Sequence, residues 1–245
     1  MTRFLSMILS IFAYVIFLAT FLYLIAFLTG DPMVPLSVDA GGAGTGVLSA
    51  LAIDAGLILL FGVQHSVMAR PGFKGFWSRI VPAPIERSVY VLFACGALIA
   101  MFCFWRPIAV ELWRFESAVV RTLCWSLFGL GWLIVLASTF LINHFELFGL
   151  QQAWLNLRGR AAAKPRFYTP LFYRFVRHPL YAGFLIAFWA APEMTLGHFL
   201  FSLGMTIYIL TAIAFEERDL VDQFGDEYRG YQKRVGKLVP RSIAR

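Results

Sequence analysis

Residues 4–28 read FLSMILSIFAYVIFLATFLYLIAFL, twenty-five consecutive positions without a charged side chain. At 1.5 Å per residue such a helix reaches ~37 Å, enough to cross a hydrocarbon core of ~30 Å. The apolar part of a signal peptide is only ~7–15 residues long, so this run is expected to remain as a span. Further runs follow. Residues 47–69 hold one acid, Asp54, with Gln64 and His65 near the end, and residues 88–105 and 122–142 are uncharged. Residues 180–192 and 196–215 come last, separated by Glu193-Met194-Thr195. The stretch 180–192 reaches only ~20 Å as a helix. The last two runs therefore read as a helical hairpin whose first arm begins before Leu180 or spans incompletely.

Composition agrees with this pattern. Sixty per cent of the 245 residues are apolar, 17% are aromatic and 14% are charged, against ~25% charged in soluble domains. The fold class is thus an all-α, polytopic membrane bundle of five to six spans. Beyond residue 215, Leu220, Phe224, Tyr228, Tyr231 and Val235 recur at spacings of three and four with charges between them. That is the pattern of a cytosolic amphipathic helix, which Gly225 is placed to loosen.

Charge placement sets the orientation. The connection 30–46 holds Asp31 and Asp39 and no base, whereas 70–87 holds four bases against Glu86. The connection 143–178 carries Arg158, Arg160, Lys164, Arg166, Arg174 and Arg177 against Glu146. The Lys/Arg bias places the second and fourth connections and both termini in the cytosol. The net charge of +7 follows from this bias and favours membrane lipid as a partner. The bases are spread through loops with no nucleic-acid motif, so no nucleic acid is expected. Gly41-Gly42-Ala43-Gly44-Thr45-Gly46 lacks the Lys-Ser/Thr of a phosphate loop and reads as a connector. Cys95, Cys103 and Cys124 all fall within predicted spans and read as core thiols rather than a disulfide framework.

Ionisable groups at membrane depth are costly and point to function. His65, Asn143, His144, His178, Glu216 and Glu217 all fall at the predicted cytosolic ends of spans. His65 reads equally as a helix–helix hydrogen-bonding residue, Asn143-His144 as a helix cap, and Asp54 as a structural group. In Arg177-His178-Pro179-Leu180-Tyr181-Ala182-Gly183, Pro179 suits the first turn of a helix, where its missing N–H costs nothing. Arg177 and His178 add donors for a carboxylate and Tyr181 an aromatic face, while Glu216 and Glu217 offer negative charge for a cation. A ligand bearing both groups, such as S-adenosylmethionine, fits that pairing.

The motif Arg177-His178-Pro179-x-Tyr181-x-Gly183, followed by Glu216-Glu217-x-x-Leu220-x-x-x-Phe224-Gly225-x-x-Tyr228-x-x-Tyr231, resembles the C-terminal signature of isoprenylcysteine carboxyl methyltransferase-like membrane enzymes. The N-terminal part departs from the protein-prenyl members. Gln64-His65-Ser66-Val67-Met68-Ala69-Arg70 and Asn143-His144-Phe145-Glu146-Leu147-Phe148-Gly149-Leu150 resemble instead the bacterial methanethiol S-methyltransferases. The resemblance implies one membrane methyltransferase domain over 1–245. Residues 1–142 would form a four-span scaffold and part of the substrate pocket, and 143–245 a cytosol-facing cofactor region. It implies S-adenosylmethionine as cofactor, bound by Arg177, His178, Pro179, Leu180, Tyr181, Gly183, Glu216, Glu217, Tyr228 and Tyr231, with no metal. It implies methyl transfer to methanethiol, giving dimethyl sulfide and S-adenosylhomocysteine, with His65, Asn143 and His144 as catalytic candidates. The alternatives are a methyltransferase acting on a prenylated thiol, lipid amine or isoprenoid carboxylate, and a transporter or channel lined by His65 and Asp54.

Overall fold

The computed structural model describes residues 2–31, 33–41, 44–161 and 166–241; Gly42 and Ala43 of the glycine-rich stretch and Lys164 of the basic connection lie outside them. Among the described residues five helices are long and apolar enough to cross a membrane: α1 (Arg3–Phe27), α2 (Val47–Ala69), α4 (Ala83–Phe104), α5 (Ala118–Ile142) and α9 (Leu196–Phe224). Shorter helices join them: α3 (Pro71–Trp77), α6 (His144–Leu147), α7 (Leu150–Leu157), α8 (Pro179–Trp189) and α10 (Asp226–Arg234). Two short strands, β1 (Glu111–Arg114) and β2 (Glu193–Thr195), pair with each other.

The chain forms two compact units, each drawn from separated stretches. The first comprises residues 1–113, 144–163 and 193–204. Its helix α1 starts where the Thr2 side chain accepts from the Leu5 N–H at 3.3 Å, supplying one of the acceptors a helix start lacks. The buried positions of α1 include Ser6, Ser10, Ala13 and Thr20, whereas Phe4, Phe12, Val15 and Leu22 are exposed. Small and polar inside, large and apolar outside is the arrangement lipid favours, because hydrocarbon gives no reason to hide leucine and small residues let helices close. Ser88 of α4 donates to Ser10 at 2.7 Å with both side chains buried. Gly149 (φ +90°) rests on the same serine, and a Cβ there would lie 2.4 Å from Ser88 Oγ.

Asp54 is fully buried, and its Oδ1 accepts from the Arg106 backbone N–H at 2.9 Å; it ties α2 to the chain after α4, in line with the structural reading. At that end of the unit Trp105 Nε1 donates to the Val38 carbonyl at 3.1 Å. Thr195 Oγ1 donates to Asp39 Oδ1, and His198 Nδ1 lies 3.7 Å from Asp39 Oδ2. These side chains stitch together three connections between helices.

The second unit comprises residues 114–143, 164–192 and 205–245. Helices α5 and α8 meet backbone to backbone: a Cβ on Gly131 would lie 2.7 Å from the Gly183 carbonyl oxygen, and one on Gly183 2.7 Å from that of Gly131. Trp132 then packs edge-on against Phe184 and Phe188, with ring centroids 5.7 and 6.3 Å apart.

One expectation is narrowed to one of its two alternatives and two change. The hairpin's first arm spans incompletely as helix: α8 begins at Pro179 and holds only 11 residues, or ~16 Å. The irregular stretch that follows buries Ala191 and Pro192, consistent with non-helical backbone at membrane depth surviving only where protein covers it. The C-terminal amphipathic helix is two pieces. Its first part continues the last span without interruption, as α9 runs 29 residues to Phe224. Gly225 at φ +59° breaks the helix before α10. Of the three cysteines only Cys95 is a core thiol; Cys124 is half-buried and Cys103 exposed.

Candidate functional site

In the second unit the two halves of the sequence motif meet. His178 precedes α8 and is 4% exposed, and Pro179 occupies the helix's first position. The strand-like backbone before it is pinned: Arg177 N–H donates to the Gly236 carbonyl at 2.8 Å and His178 N–H to that of Lys237 at 3.1 Å. Glu217 reaches in from α9. Its Oε1 accepts from Arg177 Nε at 2.7 Å and lies 3.0 Å from His178 Nε2, and its Oε2 accepts from Gln232 Nε2 at 3.2 Å. Arg177 also donates to the carbonyls of Gln232 and Val235. Tyr181 donates to Glu216 Oε2 at 2.9 Å.

The acid and base ends of the motif therefore bind each other. Arg177 and Glu217 are 10% and 12% exposed, and a charge so far from water needs a partner and further hydrogen bonds. Leu180 sits in the first turn of α8 and is half-buried. Gly183 faces α5, where its missing side chain allows the contact with Gly131. Tyr228 and Tyr231 are buried at 2% and 5% exposure and pack around Phe167. Burial pushes the Tyr231 phenol up to about 12, and it donates to the Tyr173 carbonyl. The two tyrosines thus form the packed floor beneath the charged cluster. A cleft of about 330 Å³ opens beside Glu217, lined by Ala214, Arg218, Val221 and Asp222 on one face of α9 and by Gln232 and Lys237 opposite.

The first unit holds His65 and His144. His65 stacks on Phe61 (5.2 Å between ring centroids) and packs against Tyr90 (5.0 Å). Arg87 lies over the Tyr90 ring at 4.9 Å and donates from Nε to the Leu147 carbonyl at 2.7 Å. His144 is 5% exposed, packs edge-on against Phe148 (4.9 Å), and its Nε2 hydrogen-bonds the Tyr14 hydroxyl at 2.8 Å. Burial lowers the His144 pKa below the usual imidazole range, so the ring is neutral at pH 7. Tyr90 belongs to a buried cluster with Met68, Val91 and Cys95, against which Phe17 and Phe148 pack. Both imidazoles thus border one aromatic cluster. Asn143 ends α5 at φ +153°, which is the helix-cap role. Tyr14→Phe is expected to lower stability by about 1 kcal/mol, the net worth of one hydrogen bond, read from the thermal unfolding midpoint in detergent; an unchanged midpoint would show that this bond contributes nothing.

Methanethiol S-methyltransferase 1 of Bradyrhizobium diazoefficiens is 50% identical over 238 residues, covering 97% of this chain and 83% of the relative. Methanethiol S-methyltransferase of Mycobacterium tuberculosis is 48% identical over 98% of each chain. The chain belongs to the methanethiol S-methyltransferase family. Membership in this methyltransferase family makes it a multi-pass membrane enzyme that requires a methyl donor. Nurim of Sus scrofa is a more distant relative, 30% identical over 71% of the chain and 69% of its own length. No family model and no solved structure matches the chain.

Sequence reasoning missed several members of these clusters in the methyltransferase. Tyr14 is a polar group inside an uncharged span, a signal as visible as His65 but masked by the aromatics around it. Arg87 looks like part of a basic connection, yet it clamps the Leu147 carbonyl. Gln232 and Lys237 sit among charges that pattern as solvated. Only the fold brings them to Glu217 and its cleft.

Proposed function

We propose that this protein transfers a methyl group from S-adenosylmethionine to methanethiol, giving dimethyl sulfide and S-adenosylhomocysteine. The observation that carries the reading is identity of about half over nearly the whole chain to proteins bearing that name. The residues around Glu217 suit the methyl donor. The cleft beside it offers acids (Glu217, Asp222) and bases (Arg218, Lys237) to the ammonium and carboxylate of the donor's amino-acid end. Arg177, His178 and Gln232 hold Glu217 in place, and Tyr181 holds Glu216. When bound, the donor supplies an electrophilic methyl on a sulfonium.

The remaining task is to make and aim a thiolate. A thiol with a Cys-like pKa of ~8.5 is only a few per cent ionised at pH 7. A neutral imidazole accepts the S–H proton, and we assign this to His65 or His144, with Asn143 as a positioning donor. Tyr14 would orient the His144 ring. The Lys/Arg bias supports a cytosolic position for both termini, and kinship with bacterial methanethiol S-methyltransferases supports the inner membrane of a bacterium.

Purified protein in detergent, supplied with S-adenosylmethionine and methanethiol, is expected to release dimethyl sulfide detectable by headspace gas chromatography. Donor binding without product would remove methanethiol as substrate and leave a larger thiol or lipid in its place. His65→Ala and His144→Ala are expected to keep donor affinity, and loss of the true proton acceptor to cost ~10²–10⁴ in turnover. If His144 is the acceptor, turnover persists on the acid side to below the ordinary imidazole range, because burial lowers its pKa, and falls once the ring protonates. Full turnover in both variants would clear both histidines.

A further inference from the structure

The segment 166–175 precedes the Arg177-His178 motif and contains only a 3-10 turn, Leu171–Arg174. One contact within the second unit sets its depth. The Tyr168 hydroxyl donates to the carbonyl of Ile142, the last residue of α5. Phe167 packs 5.5 Å from Phe224, in the part of α9 that continues past the apolar run. The segment therefore starts where the membrane-crossing helix α5 ends, at the level of lipid headgroups.

Its side chains do not suit water at that level. Tyr168 is 56% exposed, Leu171 61% and Phe175 64%. Leu171 holds this position at φ +36°, a backbone region that disfavours residues with a Cβ. Arg166 and Arg174 are exposed in the same short stretch, which holds no acid. Bulky aromatic and aliphatic groups beside arginines are the composition of a bilayer interface, and the arginines select the anionic one.

We propose that residues 166–175 dock on an anionic bilayer surface, with Leu171 and Phe175 entering the acyl boundary and Arg166 and Arg174 meeting headgroup phosphates. The Tyr168 bond to Ile142 holds the segment down at the end of α5, and the backbone pairing of Val176 with Gly236 anchors its other end. This docking is independent of which substrate the enzyme methylates.

The test is depth-dependent quenching on the full chain. Cys103 and Cys124 are replaced by Ala, buried Cys95 is kept, and an environment-sensitive fluorophore is attached at Phe175→Cys or, as a second position, at Leu171→Cys. The protein is reconstituted into phosphatidylcholine vesicles with or without phosphatidylglycerol. Expected is quenching by a lipid spin-labelled near the headgroup in preference to aqueous iodide, stronger in the anionic vesicles. Loss of that anionic enhancement is expected in the Arg166→Gln/Arg174→Gln variant. A label at exposed Glu227→Cys should be quenched by iodide and serves as the water reference. Iodide quenching at position 175 equal to that at 227 overturns the proposal, because the segment would then be in water. So does shielding from both quenchers, which would mean that protein covers it, and so does equal lipid quenching in neutral and anionic vesicles.

Discussion

Glu217→Ala is expected to abolish S-adenosylmethionine binding and to lower stability by roughly 3–5 kcal/mol, the typical cost of removing one partner from a buried ion pair. Three donors converge on this carboxylate: Arg177 at 2.7 Å, Gln232 at 3.2 Å and the His178 ring at 3.0 Å. Without it the Arg177 guanidinium keeps, among the described residues, the backbone carbonyls of Gln232 and Val235 as acceptors, at 10% exposure. The start of α8, the end of α9 and the chain after α10 then lose their common tie. Glu217→Gln retains an acceptor oxygen and should fall between wild type and Glu217→Ala. Thermal unfolding in detergent reads the stability change and titration calorimetry the affinity. Wild-type melting and affinity in Glu217→Ala would show that the cluster neither holds this end of the unit nor serves the donor.

Gly183→Val and Gly131→Val should be nearly as damaging, for a different reason. A Cβ on Gly183 would stand 2.7 Å from the Gly131 carbonyl oxygen and 3.0 Å from Val135 N, and one on Gly131 2.7 Å from Ala187 N. The obstacles are backbone atoms of a facing helix, which cannot rotate away. Helices α5 and α8 would have to separate, drawing Trp132 away from Phe184 and Phe188. Overpacking of this kind costs about 3 kcal/mol or more at its severe end, and the variants are expected to lose their monodisperse peak in size-exclusion chromatography. Gly129→Ala provides the control on the same helix. Nothing lies within 4 Å of its added Cβ, and a gain of about 0.5–1 kcal/mol is expected from the better helix former. If Gly183→Val and Gly129→Ala behave alike, close helix approach is not what position 183 requires.

These two predictions divide what was legible from what was not. Arg177, His178, Glu216 and Glu217 stand out in sequence because charges and histidines are rare in so apolar a chain. What they do was less visible. Read singly, two look like donors for a ligand and two like acceptors, yet the fold closes Arg177 onto Glu217 across forty positions. Gly183 reads as part of a ligand motif, and the fold shows it in contact with Gly131. Tyr228 and Tyr231 follow the same course, as buried floor beneath the cluster.

The sequence alone determined that the protein lives in a membrane, because runs of twenty or more uncharged residues have no other stable environment. It also marked two helix limits, at Pro179 and Gly225, since those are local matters of backbone freedom; that the last span runs on unbroken to Phe224 it did not show. Which side of each span turns inward it marked only weakly. In lipid both faces of a helix are largely apolar, so only scattered small and polar residues, such as Ser6, Ser10 and Thr20 of α1, hint at the buried side. Only the tertiary structure decides that Ser10 meets Ser88, that Tyr14 bonds His144 across 130 positions, and that Gln232 turns to Glu217. Those choices depend on shape and on pairing every buried polar group, which are properties of several segments at once.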